Sequence, residues 1–118
     1  MPKLKPLLPS LREKKRYIAF EVISEGKIGS ADSVEHAIFG SLLKLVGEKG
    51  AATAGIIMLK DRYNPETQRG ILRTSTKGLK DSKQALTLID SIEKKEVIVK
   101  TLGVSGILKK AVSNYIAA

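Results

Sequence analysis

Twenty-one lysines and arginines face twelve carboxylates in this chain of 118 residues, and the excess lies at its two ends. Residues 1 to 16 hold Lys3, Lys5, Arg12, Lys14, Lys15 and Arg16 against Glu13 alone, a net +5. Residues 94 to 118 hold Lys94, Lys95, Lys100, Lys109 and Lys110 against Glu96, a net +4, and the segment between balances ten against ten. Ammonium and guanidinium groups bind phosphate oxygens as fixed cations, and charge confined to two segments of a small domain implies one place where a polyanion is held. With a net charge of +9 and a pI near 9.9, nucleic acid is the leading class of partner, ahead of an anionic membrane surface or an acidic protein.

Other chemistry finds little support. The chain has no cysteine and a single histidine, His36, placed within a predicted helix with no metal-ligand spacing around it. Asp and Glu are scattered as caps and surface charges, and no glycine-rich nucleotide loop is present. No catalytic residue, metal site or bound cofactor is expected. The run Gly103-Val104-Ser105-Gly106 reads as a turn opening a helix. Its free N–H groups and the Ser105 hydroxyl could donate to a phosphate oxygen, with Lys109 and Lys110 just beyond.

The elements that must carry these residues follow from the hydrophobic pattern. At 42% apolar and 28% charged, the chain is globular and long enough for one core. Pro2, Pro6 and Pro9 make residues 1–11 an extended basic arm, and residues 12–118 form a single domain. No signal peptide or membrane-spanning stretch is visible, so a cytoplasmic location is expected. Residues 16–24 alternate as a strand, with Ile18, Phe20 and Val22 toward the core and Tyr17, Ala19, Glu21 and Ile23 on the other face. Ser30 or Asp32 starts a helix that Gly47 and Gly50 end, and its apolar positions fill about half the wheel, more than one sheet needs. Phe39 and Leu43, at the surplus edge, mark a candidate protein interface. Strands follow near 51–60 and 67–75, then a helix over 80–93 capped by Thr76 or Asp81, a strand over 97–104 and a last helix over 107–117.

That order predicts an α+β fold: the βαββαβ sandwich of ferredoxin-like and RNA-recognition-motif domains, with a four-stranded antiparallel sheet plus a C-terminal helix. In it the first strand starts beside the end of the last, with the end of the third strand on its other side. Arg12, Lys14, Lys15, Arg16, Arg73, Lys77, Lys109 and Lys110 should therefore gather at one corner and bind RNA phosphates. The third strand carries no aromatic and the first offers only Tyr17 on its outer face. Base-by-base stacking is thus not expected, and Arg69 and Arg73 supply charge where aromatics would otherwise sit.

The run Leu11-Arg-Glu-Lys-Lys-Arg-Tyr-Ile-Ala-Phe-Glu-Val-Ile23, with Lys100-Thr-Leu-Gly-Val-Ser-Gly106 and its basic helix, resembles ribonuclease P protein component 2 of archaea. The likeness extends through Ile71-Leu72-Arg73 and Ala85-Leu-Thr-Leu88. It implies a subunit of a ribonucleoprotein endoribonuclease that removes the 5′ leader from precursor tRNA, with hydrolysis performed by magnesium ions on the RNA subunit. The implied partners are ribonuclease P RNA, protein component 3, often as a dimer of heterodimers, and precursor tRNA indirectly. A Thr commonly follows the Gly-Val-Ser-Gly run in that family, where this chain has Ile107. A free-standing regulatory or effector-binding module of the same fold, or a general RNA-binding protein, is the alternative.

Overall fold

The computed structural model describes residues 14–116; the arm and Arg12 lie outside them. Strand β1 (Lys15–Ser24) leads to helix α1 (Ala31–Ala54), a short β2 (Ile57–Met58), β3 (Arg69–Ser75), α2 (Leu79–Leu88), β4 (Ser91–Ile92), β5 (Lys95–Ser105) and α3 (Leu108–Ala111), which continues as a π turn over Val112–Ile116. All pairings are antiparallel, and the sheet runs β2-β3-β1-β5-β4.

The sheet has five strands rather than four. The additional strand, β4, is joined to β5 by Glu93 and Lys94, both with positive φ (55° and 64°). Two such residues form the tight hairpin turn that Asn-Gly or Asp-Gly usually announces. Glu-Lys announces nothing, so the helical periodicity expected over 80–93 runs on through a segment that instead folds back, and α2 ends at Leu88.

The first helix also runs past its expected end. Ser30 caps it, its hydroxyl accepting from the Ser33 N–H at 3.2 Å. Gly47 breaks its dihedrals (φ 74°, ψ 179°), but the chain returns to helix up to a left-handed Gly55. The last turn is held because Ala51 and Ala54 bury against Leu42 and Ala85. Its orphan carbonyls are taken by β3: the Thr74 hydroxyl donates to Ala54 O at 3.1 Å and the Ser75 hydroxyl to Thr53 O at 3.0 Å. Only Ile57–Met58 remains of the strand expected over 51–60. Helix α2 has Gly78 at its N-cap, not Thr76 or Asp81, and so no side-chain cap.

Both helices lie on one side of the sheet. Ile18, Phe20 and Val22 of β1 pack with Leu72, Val97 and Val99 of its neighbours and with Val34, Ile38 and Leu86 of the helices. Behind this core the loops are knitted by Gln68, whose amide donates to Val22 O at 2.7 Å and accepts from the Ile28 N–H at 2.5 Å. Tyr63 donates to Ile28 O at 2.6 Å.

Candidate nucleic-acid interface

At one end of the sheet the register sets Lys15 opposite Ser75, Arg16 opposite Thr74, and Tyr17 opposite both Arg73 and Ser105. Arg73 in turn faces Ile57 on β2. Residues directly opposite share a face, so Ile57, Arg73, Tyr17 and Ser105 form one row across the outer surface. Lys14 is exposed, and its carbonyl accepts from the Thr76 N–H at 3.1 Å, tying the start of β1 to the loop that presents the exposed Lys77.

The other basic segment reaches the same end. A Cβ placed on Gly106 would lie 3.4 Å from Arg16 Nη1, so the guanidinium stands beside the end of β5. That nitrogen also donates to Lys15 O at 2.9 Å, which fixes its direction. Lys109 and Lys110 follow on α3, both exposed, while Ala111 of the same helix is fully buried and α3 packs on β1 and β5. Lys14, Lys15, Arg16, Arg73 and Lys77 thus share the end of the sheet from which the helix bearing Lys109 and Lys110 departs.

Two details differ from the sequence expectation. Gly103 to Ser105 belong to β5, so only Gly106 and Ile107 turn the chain. The Ser105 hydroxyl is engaged locally, accepting from the Ile107 N–H at 3.1 Å and donating to Ile107 O at 3.0 Å. Helix α3 has a single turn, too short for a strong dipole.

The outer face is also less open than the charge pattern suggested. The C-terminal segment crosses it over the row Ile71, Ala19 and Gly103, leaving Ile71 and Ala19 fully buried. Arg69 is spent on this contact: its Nη1 donates to Tyr115 O at 3.1 Å and its Nε lies 3.9 Å from Glu21. Arg73 keeps a partly exposed side chain whose Nε is sealed from solvent and without a hydrogen-bond partner. Tyr17, seen in sequence as the one outer-face aromatic but not grouped with the cations, stands between Arg73 and Ser105. Only the register reveals that placement.

On the helix side of the sheet, Phe39 is 46% exposed and Leu43 partly buried. With Ala51, Ala52, Gly55 and Ile56 they line a groove of about 430 Å³ along the second half of α1. Among the described residues, no three His, Asp or Glu side chains gather as metal ligands, and no helix is long and apolar enough to cross a membrane.

The model of the Rpp14/Pop5 family matches residues 16–116. Ribonuclease P protein component 2 of Pyrococcus horikoshii is 39% identical over 117 residues, covering 99% of this chain and 95% of that protein. The component 2 protein of Methanosarcina acetivorans is 36% identical over 113 residues, covering 96% and 82%. Among solved structures, a chain of yeast ribonuclease MRP superposes with a TM-score of 0.62 at 10% identity, covering 80% of this chain and 76% of that one, a likeness of fold.

Proposed function

This chain belongs to the Rpp14/Pop5 family and is a protein subunit of ribonuclease P, and we propose that it serves there by gripping the RNA backbone with the cationic end of its sheet. The observation that carries this reading is the apposition of Arg16 and Gly106, through which basic segments more than eighty residues apart in sequence become neighbours. Lys14, Lys15, Arg16, Arg73, Lys77, Lys109 and Lys110 supply the phosphate contacts, joined by Arg12. Ser105 positions Ile107 rather than donating to RNA. Recognition is of backbone and shape, because the middle row of the sheet face that stacks bases in other modules, Ile71, Ala19 and Gly103, lies under the C-terminal segment.

The chain itself performs no bond cleavage in this reading. Hydrolysis at the 5′ leader of precursor tRNA falls to the RNA subunit and its magnesium ions, and the protein supports the fold of that RNA in the cytoplasm. The groove beside Phe39 and Leu43 is the seat for protein component 3, in a hetero-oligomer that could double into a dimer of heterodimers. We read β1, β2, β3 and β5 with the two longer helices as a ferredoxin-like unit, to which β4 and α3 are additions.

Reconstitution tests the proposal. Ribonuclease P RNA with the remaining protein subunits is supplied with this chain, with none, or with a variant carrying Arg16→Ala, Lys77→Ala, Lys109→Ala and Lys110→Ala together. Processing of precursor tRNA should rise with the native chain and far less with the variant. Equal processing in all three mixtures overturns the role, and equal processing by native and variant chains overturns the basic end as its seat.

A further inference from the structure

The far end of β1 presents a different surface on the same outer face. Ile23 and Ile98 are direct cross-strand partners, 47% and 66% exposed. Beyond the Glu21–Lys100 pair the described part of the C-terminal segment leaves the sheet uncovered, Tyr115 being anchored over Gly103 and bonded to Arg69. The two isoleucines line a groove of about 700 Å³ whose rim holds Glu25, Asp90 and Glu96, while Val97, between Glu96 and Ile98, turns its side chain into the core. None of these three carboxylates is within ion-pair distance of a cation among the described residues.

We propose that this groove docks a basic segment of another protein subunit, one that brings an apolar side chain flanked by lysine or arginine. Three carboxylates gathered in a chain of net charge +9 oppose the sign of the whole. They repel phosphates, so the occupant is a protein and not RNA. The apolar pair supplies an anchor that charge alone would not, and the rim selects for cations. From Lys15 to Ser24 the strand covers nine residue steps, on the order of 30 Å. The phosphate-binding end and the docking end are therefore far enough apart to be occupied together, and β1 links an RNA contact to a protein contact. The groove is separate from the one beside Phe39, and the inference rests on this chain being a ribonuclease P subunit.

The test uses the full chain with ribonuclease P RNA and the other purified protein subunits. Ile98→Asp and the pair Glu25→Lys with Glu96→Lys all lie at exposed positions, and circular dichroism melting confirms their folding. Each should weaken association with one of the other protein subunits by about tenfold or more, measured by titration without RNA. RNA affinity of the isolated Ile98→Asp chain should stay at the native value. Unchanged association with every other protein subunit overturns the proposal. So does a loss confined to RNA affinity, or a change seen only in self-association by sedimentation, which would assign the groove to a second copy of this chain. Should Ile98→Asp not fold, the charge-reversed pair decides alone. If the native chain fails to support processing, the ribonuclease P role fails. If it supports processing while the variants associate normally, only the docking site fails.

Discussion

The phenol of Tyr115 occupies the space that a side chain at Gly103 would need: a Cβ there would lie 2.1 Å from its oxygen and 2.3 Å from Cζ. This contact seats the C-terminal segment on the sheet and, with Arg69 holding the Tyr115 carbonyl, buries Ala19 and Ile71. Small residues at 19 and 103 make the room. Gly103→Ala should expel the ring and lower stability by about 1–3 kcal/mol, as overpacking does, visible as a drop in Tm. Tyr115→Ala should destabilise by uncovering the same row. The double variant should fall short of the sum of the two, because the alanine methyl then has nothing to strike. Strict additivity would separate the two residues.

Stability at alkaline pH should report on Tyr63. Burial pushes its hydroxyl above the usual 10.0, with the charge of Glu93 adding to the shift. The proton is held in the bond to Ile28 O. Unfolded Tyr63 loses its proton first as pH rises, so its contribution is whole below about pH 10 and disappears as pH climbs through the higher folded value. Tyr63→Phe lacks the bond, worth about 1 kcal/mol, and cancels the lysine background common to both proteins. Denaturant titrations from about pH 8 to pH 11 should show the native advantage over the variant narrowing near the top of that range. An advantage that stays constant would contradict the argument.

The β4–β5 turn should accept a better sequence. Glu93 and Lys94 both hold left-handed backbone that residues with a Cβ adopt only at a cost. Glu93→Asn with Lys94→Gly supplies the residues this turn favours and should stabilise the protein by about 1 kcal/mol, the relief exceeding the added flexibility of glycine when unfolded. Thermal melting checks it. A lower Tm would mean that the Glu93 and Lys94 side chains contribute more than their backbone gives up.

That turn also shows where sequence reading reaches its limit. The alternation of Ile18, Phe20 and Val22 located β1 and its buried face because a two-residue period is a local signal. The neighbourhood of β1, β3 and β5, and with it the meeting of the basic segments, followed from element order alone. What escaped depended on tertiary partners. Helix α1 continues beyond Gly47 because Thr74 and Ser75, twenty residues or more downstream, take its final carbonyls. The Ser105 hydroxyl turns inward to Ile107 because β5 extends through residue 105. Nothing near Tyr115 in sequence announces that it covers the sheet. The groove at Ile23 and Ile98 required the register to set two separately unremarkable isoleucines side by side.

The cationic end makes a quantitative prediction about salt. If about six side chains there neutralise phosphates, the logarithm of RNA affinity should fall against the logarithm of salt concentration with a slope of about −4, taking roughly 0.7 per contact. Arg73→Ala, Lys77→Ala and Lys110→Ala should each reduce the steepness by about 0.7 while weakening binding alike for RNAs of different sequence. Lys49→Ala, at an exposed site in the second half of α1, should leave the slope unchanged. Tyr17 separates backbone contact from stacking. Tyr17→Ala should change affinity less than Arg73→Ala if phosphates alone are bound, since the ring carries no charge to release counterions. A larger loss at Tyr17, with the slope intact, would mean that an unstacked base rests on that ring and that the row from Ile57 to Ser105 reads more than charge.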